Sequence, residues 1–391
     1  MAGLKILRTA TVLLSGYILF AVFRFSIGLI LPGVTSEFQL SPTESGVFSS
    51  APLLTSVLTM AGAGYISDRI SRKVTLSIGM LVMWAGALLC SFAPNYLLAL
   101  SAVLIAGAGA GFVPPTVYSI MGDLQPGSRA TLTGITAGTY NLGGFAGAAG
   151  LGFATAMSGW RPSLAVLSGL GLTCLVIVFL FMESSTNSQG PGTRMRSPSS
   201  PNVSILKSKN VVLAGMSLFM ATYACFAMIS WAPTYLIHLG TTPGLAGIVI
   251  GVFSLAGGAT SIALGRLADA RGEKPLILTT GAVAGIVCIV LFFYGSNFIS
   301  IAVLLALLGL LVWPSWNLTT SMAQRLVGPA SVGSITGLVQ TFGMAGGFLG
   351  PLLTGGLVSY FGLGPVLFGS AAVTLWLYSL FVIPFKEASW R

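Results

Sequence analysis

Apolar runs of about twenty residues recur along the whole chain, each closed by a short break of glycine, proline or charged residues. Twelve runs stand out: 10–33, 44–67, 74–93, 96–121, 131–157, 162–182, 211–238, 243–268, 275–294, 298–322, 332–360 and 364–385. At about 1.5 Å of rise per residue, a helix of that length crosses roughly 30 Å of hydrocarbon. A backbone inside lipid must satisfy its own hydrogen bonds, so helices are the expected element. The pattern predicts an all-α membrane protein with twelve transmembrane helices. Residues 183–210 are the only long polar stretch, rich in Ser, Pro and Gly, a composition that predicts a flexible linker. The expected organisation is an N-terminal six-helix half (1–182), the linker (183–210) and a C-terminal six-helix half (211–391).

The two halves repeat each other. TGITAGTYNLGGFAG (133–147) aligns with TGLVQTFGMAGGFLG (336–350) at a constant offset of 203. Gly159 and Pro162 meet Gly362 and Pro365 at the same offset. GYISDRISRK (64–73) meets the looser GRLADARGEK (265–274) at an offset of 201. Such a repeat predicts parallel, pseudo-symmetric halves related by an axis along the membrane normal, with a solute site near the midplane between them.

Composition sharpens the class. Apolar residues make up 54% of the chain and charged residues 7%, against about 25% charged in soluble domains. The 51 glycines suit close helix packing in lipid. The net charge of +10 suggests nucleic acid at first, but its placement argues otherwise. With the N-terminus in the cytoplasm, every basic residue except Arg24 and Arg161 falls on an inner loop or tail. Lys and Arg concentrate on the cytoplasmic side of membrane proteins, so both termini are expected there, in a multi-pass protein of the cell membrane. The four cysteines lie apart within apolar runs and read as small apolar residues, not as disulfides or metal ligands.

The segment after the second span fits G-x-x-x-D-R-x-G-R-[RK] at Gly64, Asp68, Arg69, Arg72 and Lys73, with Ser71 in place of the usual glycine. With this motif and the repeat, the chain resembles the major facilitator superfamily over essentially its whole length. The resemblance implies a solute carrier working by alternating access, with no enzymatic activity, cofactor or metal. It also implies that Asp68 meets the N-terminal end of the eleventh span near Ser331, clamped by Arg72. The second copy keeps Gly265, Asp269, Gly272 and Lys274, with its arginine displaced to Arg271. Asp68, Arg69, Arg72, Asp269 and Arg271 are thus the expected gating residues; the plainer reading is that they are loop-end charges that fix topology.

Arg24 lies near the middle of the first span. A charge there is costly, and intramembrane charges usually mark a pathway. A guanidinium is a permanent cation with a fork of donors suited to carboxylate or phosphate. Tyr17 and Gly28 share its helical face. The competing reading is an arginine that snorkels to the outer headgroups. AVFRFSIGLILPGV resembles the first helix of the organophosphate:phosphate antiporters and organic anion:cation symporters, and WAPTYL (231–236) is similar to their W-x-P-T-Y-L. Tyr140 stands where the antiporters have a histidine, and Cys225 where they have a second arginine. One arginine instead of two suggests a carboxylate-like monoanion.

Further candidates for the solute site are Tyr140 and Asn141 in the fifth span, Tyr223 in the seventh, Trp313, Trp316 and Asn317 in the tenth, and Gln340 in the eleventh. The aromatics have the alternative of facing lipid or the interfaces, whereas the amides of Asn141 and Gln340 avoid lipid. Pro114, Pro115 and Pro314 are expected to kink the fourth and tenth spans. Arg161 and His238, at outer span ends, are expected to be surface residues. No Asp or Glu falls mid-span. The resulting expectation is a monomeric carrier of a small organic anion, embedded in the bilayer. The alternative is efflux of hydrophobic compounds, for which Gly337, Gly346, Gly350 and Pro351 match the drug antiporters' glycine pattern.

Overall fold

The computed structural model describes residues 2–69, 71–124, 129–182, 208–294, 297–326 and 332–385. Every regular element among them is helical: α1 (Ala2–Phe38), α2 (Pro42–Arg69), α3 (Arg72–Ser91), α4 (Tyr96–Ala110), α5 (Val113–Leu124), α6 (Arg129–Ser158), α7 (Trp160–Phe181), α8 (Lys209–His238), α9 (Pro243–Arg271), α10 (Glu273–Tyr294), α11 (Phe298–Val312), α12 (Pro314–Gln324), α13 (Val332–Phe361) and α14 (Leu363–Leu380). Counting α4 with α5 and α11 with α12, ten segments are long and apolar enough to cross a membrane. The less apolar α2 and α6, 28 and 30 residues long, complete twelve spans. Most of the linker (183–207) lies outside the described residues.

The helices form two compact units: Met1–Thr186 with Ala232–Leu255, and Asn187–Trp231 with Ala256–Arg391. In the first unit α6 lies directly on α1. A Cβ at Gly143 would meet the Ile18 carbonyl oxygen at 2.7 Å, and one at Gly147 would meet the Val22 backbone at 2.7 Å. In the second unit α13 lies on α8 in the same way, Gly346 against the Phe219 carbonyl and Gly350 against that of Tyr223. Ile18 and Val22 map onto Phe219 and Tyr223 at one offset, 201. The glycines read as a sequence repeat are therefore one packing device used twice: without side chains, two helices approach backbone to backbone.

At the expected kinks the hydrogen-bond ladder is interrupted while the backbone stays helical, with Gly111 at φ −65°, ψ −22° and Trp313 at φ −60°, ψ −39°. In α4 the Phe112 N–H turns to the Gly109 carbonyl (3.1 Å). The Ala108 carbonyl then accepts from the Thr59 hydroxyl of α2 at 2.8 Å. In the second unit Pro314 has no N–H to give the Leu310 carbonyl, and Thr260 of α9 donates to it at 2.9 Å. Both breaks leave an acceptor in a region without water, and a threonine at equivalent positions fills it. The helix ends repeat as well. Asn95 and Asn297 cap α4 and α11 through their side chains. Gly159 and Gly362 open α7 and α14 at φ 82°, a left-handed conformation that glycine adopts without strain.

Replacing Thr260 by valine keeps the shape and removes the donor. We expect a loss of about 1 kcal/mol, read as a lower unfolding temperature in detergent, while Thr260→Ser stays near wild type. An unchanged Thr260→Val would show that the Leu310 carbonyl finds another partner.

Candidate functional site

The glycine contact between α1 and α6 sets which way α1 faces. Ile18, Ala21, Val22 and Phe25 lie under Gly143, Gly144 and Gly147. At about 100° per residue, Tyr17 and Arg24 lie roughly 40° and 60° around the helix from Ala21, on the same side. Tyr17 is buried and touches two other tyrosines, Tyr118 of α5 in an edge-on contact and Tyr140 of α6, each with ring centroids 6.0 Å away. Phe20 stacks on Tyr17 at 5.5 Å and meets Tyr140 at 6.1 Å; Phe25 also meets Tyr140 at 6.1 Å. Arg24 is half-buried and engaged with its surroundings.

Beside this cluster Asn141 donates its amide to the Ala137 carbonyl at 3.1 Å. Its Oδ1 is buried and has no hydrogen-bond partner. Ser254, in the 232–255 segment of the same unit, donates to the Asn141 backbone carbonyl at 3.4 Å. The site thus combines a permanent cation, three phenol hydroxyls, aromatic walls and one buried free acceptor.

Of the sequence candidates, Arg24, Tyr17, Tyr140 and Asn141 come together here. Tyr118 was not anticipated; it lies one turn after the proline pair in VPPTVY and meets α1 through the Tyr17 ring. The remaining candidates lie in the second unit. Tyr223 is buried at the α8–α13 contact. Trp313 sits at the α11–α12 break against Gly257. Trp316 packs on the core around Leu218 and Val339, Gln340 is half-buried, and Asn317 is exposed. The Cys225 thiol, at the position matching Arg24, is buried.

Among the expected gating residues, the side chains of Asp68 and Arg69 lie outside the described residues, as does Ser331. Arg72 donates to the Ser119 carbonyl in the middle of α5 (3.1 Å). In the second unit Asp269 is mostly exposed, 3.6 Å from Arg325, and Arg271 is exposed. The central acid is one that sequence reasoning passed over. Glu273, only 4% exposed, binds Arg325 at 2.7 Å and accepts from the Ser321 hydroxyl at 2.7 Å. Glu273 occupies the position of Arg72, and Ser321 that of Ser119, so the second unit rebuilds the same junction with its charge reversed.

Arg161 corrects an expectation. It is not a bare surface residue, because it ties three helices of the first unit. Its guanidinium meets Glu37 at the end of α1 (2.7 Å) and donates to the carbonyls of Ser91, the last residue of α3, and Ala93 just beyond it (2.9 and 2.7 Å). Glu37 also accepts from the Trp160 indole at 2.8 Å. A cation on the free carbonyls of a helix C-terminus meets both their lone pairs and the helix dipole.

Arg325→Leu leaves a buried carboxylate with a hydroxyl as its remaining partner, so it should destabilise by about 2 kcal/mol. The double variant Glu273→Leu/Arg325→Leu should be more stable than Arg325→Leu alone, as measured by thermal unfolding. Additive losses would show that the two side chains act independently.

The comparisons with known proteins agree with this architecture. The family model described as Major Facilitator Superfamily matches residues 13–351 and 236–388. The chain is 24% identical over 360 residues to the hexuronate transporter of Bacillus subtilis, covering 87% of this chain and 85% of that one. It is 27% identical over 369 residues to protein spinster homolog 3 of Homo sapiens, covering 85% and 71%. A bacterial homolog of the human lysosomal transporter Spinster, solved inward-facing and unoccupied, superposes with a TM-score of 0.80 at 16% identity, over 97% of this chain and 95% of that one. The chain belongs to the Major Facilitator Superfamily: it is a multi-pass membrane transporter of a small-molecule solute, and not an enzyme.

Proposed function

We propose that the protein moves a small organic anion, carboxylate-like, by alternating access, with Arg24 as the group that holds the negative charge. The observation behind this reading is the burial of Tyr17 against Tyr118 and Tyr140. Tyr17 lies two turns before Arg24 on the same face, so that face turns into the unit and away from lipid. An arginine turned inward is not one that snorkels. The hydroxyls of Tyr17, Tyr118 and Tyr140 supply donors to the anion's second oxygen, and the rings fit its apolar body. One relative carries hexuronate, which is a carboxylate. Asp68, Arg69, Arg72, Asp269 and Arg271 serve as gating charges in this proposal, with Glu273 and Arg325 as the second unit's core pair. Both termini lie in the cytoplasm, and the carrier works as a monomer.

Efflux of hydrophobic compounds rested on the glycine pattern in α13. Gly346 and Gly350 there have a packing partner in α8, so the pattern is accounted for without efflux. A fixed guanidinium also opposes lipophilic cations.

The test is thermal shift of the purified protein with mono- and dicarboxylates, sugar phosphates and lipophilic cations. Monocarboxylates should stabilise wild type. Arg24→Gln should weaken that binding by about 30-fold or more, and Arg24→Lys by less. Tyr118→Phe should weaken it about 3- to 10-fold with the fold intact. Stabilisation by cations in wild type and Arg24→Gln alike would replace this reading with efflux.

A further inference from the structure

Two cations at one end of the first unit have aromatic rings as partners where a carboxylate would be usual. The Arg8 guanidinium of α1 lies 4.9 Å from the centroid of Phe181, and the Lys73 ammonium of α3 lies 5.1 Å from that of Phe179. Both rings belong to the last turn of α7, which packs between α1 and α3. Neither cation meets a carboxylate among the described residues. Below them α7 presents a continuous apolar face. Val176, Ile177, Phe179, Leu180 and Phe181 are all more than 40% exposed, while Val178 is fully buried.

The second unit provides an internal comparison. Lys274 occupies the position of Lys73, but its ammonium is consumed: it donates to the Ile383 and Phe385 carbonyls at 2.9 Å each, capping the end of α14. The positions matching Phe179 and Phe181 hold Val382 and Pro384. The same lysine therefore closes a helix end in one unit and stands over a ring, outside the helix, in the other. A cation held on an aromatic face keeps its outer side open and gives up little freedom when an anion arrives.

We propose that Arg8, Lys73, Phe179 and Phe181 form a binding site for a phospholipid with an anionic headgroup. The phosphate lies against the two cations and the acyl chains run along the exposed face of α7. Charge complementarity selects the headgroup, and the apolar face below it requires an occupant with chains, which inorganic phosphate lacks. The site is specific to the first unit and independent of the solute that the protein carries.

The test uses the full-length protein in mixed micelles with phosphatidylglycerol or phosphatidylcholine of identical chains, followed by native mass spectrometry and thermal unfolding. A surface cation strengthens anionic-lipid binding about fivefold, so wild type should retain phosphatidylglycerol over phosphatidylcholine by about 30-fold. Arg8→Gln/Lys73→Gln should abolish the preference, and Arg8→Lys/Lys73→Arg should keep it. Phe179→Leu/Phe181→Leu should reduce it severalfold. Lys274→Gln should leave it unchanged, whatever its effect on unfolding temperature. Equal retention of the two lipids by wild type, or a preference lost in Lys274→Gln, would overturn the site. Stabilisation by inorganic phosphate matching that by phosphatidylglycerol would overturn the lipid as its occupant.

Discussion

The backbone contact between α1 and α6 is the constraint on which the rest depends. Gly143 and Gly147 bring α6 against the backbone of α1 at Ile18 and Val22, which sets the face that α1 turns to α6. That setting turns Tyr17, and with it Arg24, toward α5 and α6. A single Cβ at either glycine would force the helices apart, because the obstacle is backbone and cannot swing away. Had α1 been free to rotate, the guanidinium could have reached lipid headgroups, and a mid-span charge would say little about cargo.

Pseudo-symmetry holds where the backbone needs it and fails where chemistry is at stake. The glycine contacts, the threonines at the helix breaks, the asparagine caps and the left-handed glycines all recur at near-constant offset. Each answers the same problem, a polar backbone group or a close approach in a medium without water. The side chains around Arg24 do not recur: Tyr17, Arg24 and Tyr140 map onto Leu218, Cys225 and Gly343. The junction of Arg72 with Ser119 recurs with inverted charge as Glu273 with Ser321 and Arg325. The shared scaffold thus bears different side-chain chemistry in its two units.

Much of this was legible in the sequence, and the remainder was not, for physical reasons. The length of the apolar runs gave the helices, and Pro114, Pro115 and Pro314 gave the breaks. The repeat of Gly143 and Gly147 marked a shared contact before its partner helix was known. Tyr118 was missed because a tyrosine in an apolar run has no periodicity of its own; its place comes from a contact with Tyr17 that is remote in sequence. Arg161 was misread because the partners that tie it, Glu37 and the Ser91 and Ala93 carbonyls, are remote in sequence. Glu273 was passed over because it sits at a loop end by hydropathy, and its partners Ser321 and Arg325 are remote in sequence. Backbone requirements are local and leave local marks, whereas long-range ion pairs do not.

The central claim is that the face of α1 bearing Arg24 lines an aqueous route. Arg24→Cys can be made against a background in which Cys90, Cys174, Cys225 and Cys288 are buried and thus shielded from polar reagents. The most direct measurement is the reaction of that thiol with a charged, membrane-impermeant thiosulfonate, beside a lipid-soluble maleimide. The account expects the charged reagent to modify the thiol from the aqueous phase, as completely as the lipid-soluble maleimide does. Reaction with the lipid-soluble reagent alone would place position 24 in the acyl chains and contradict it.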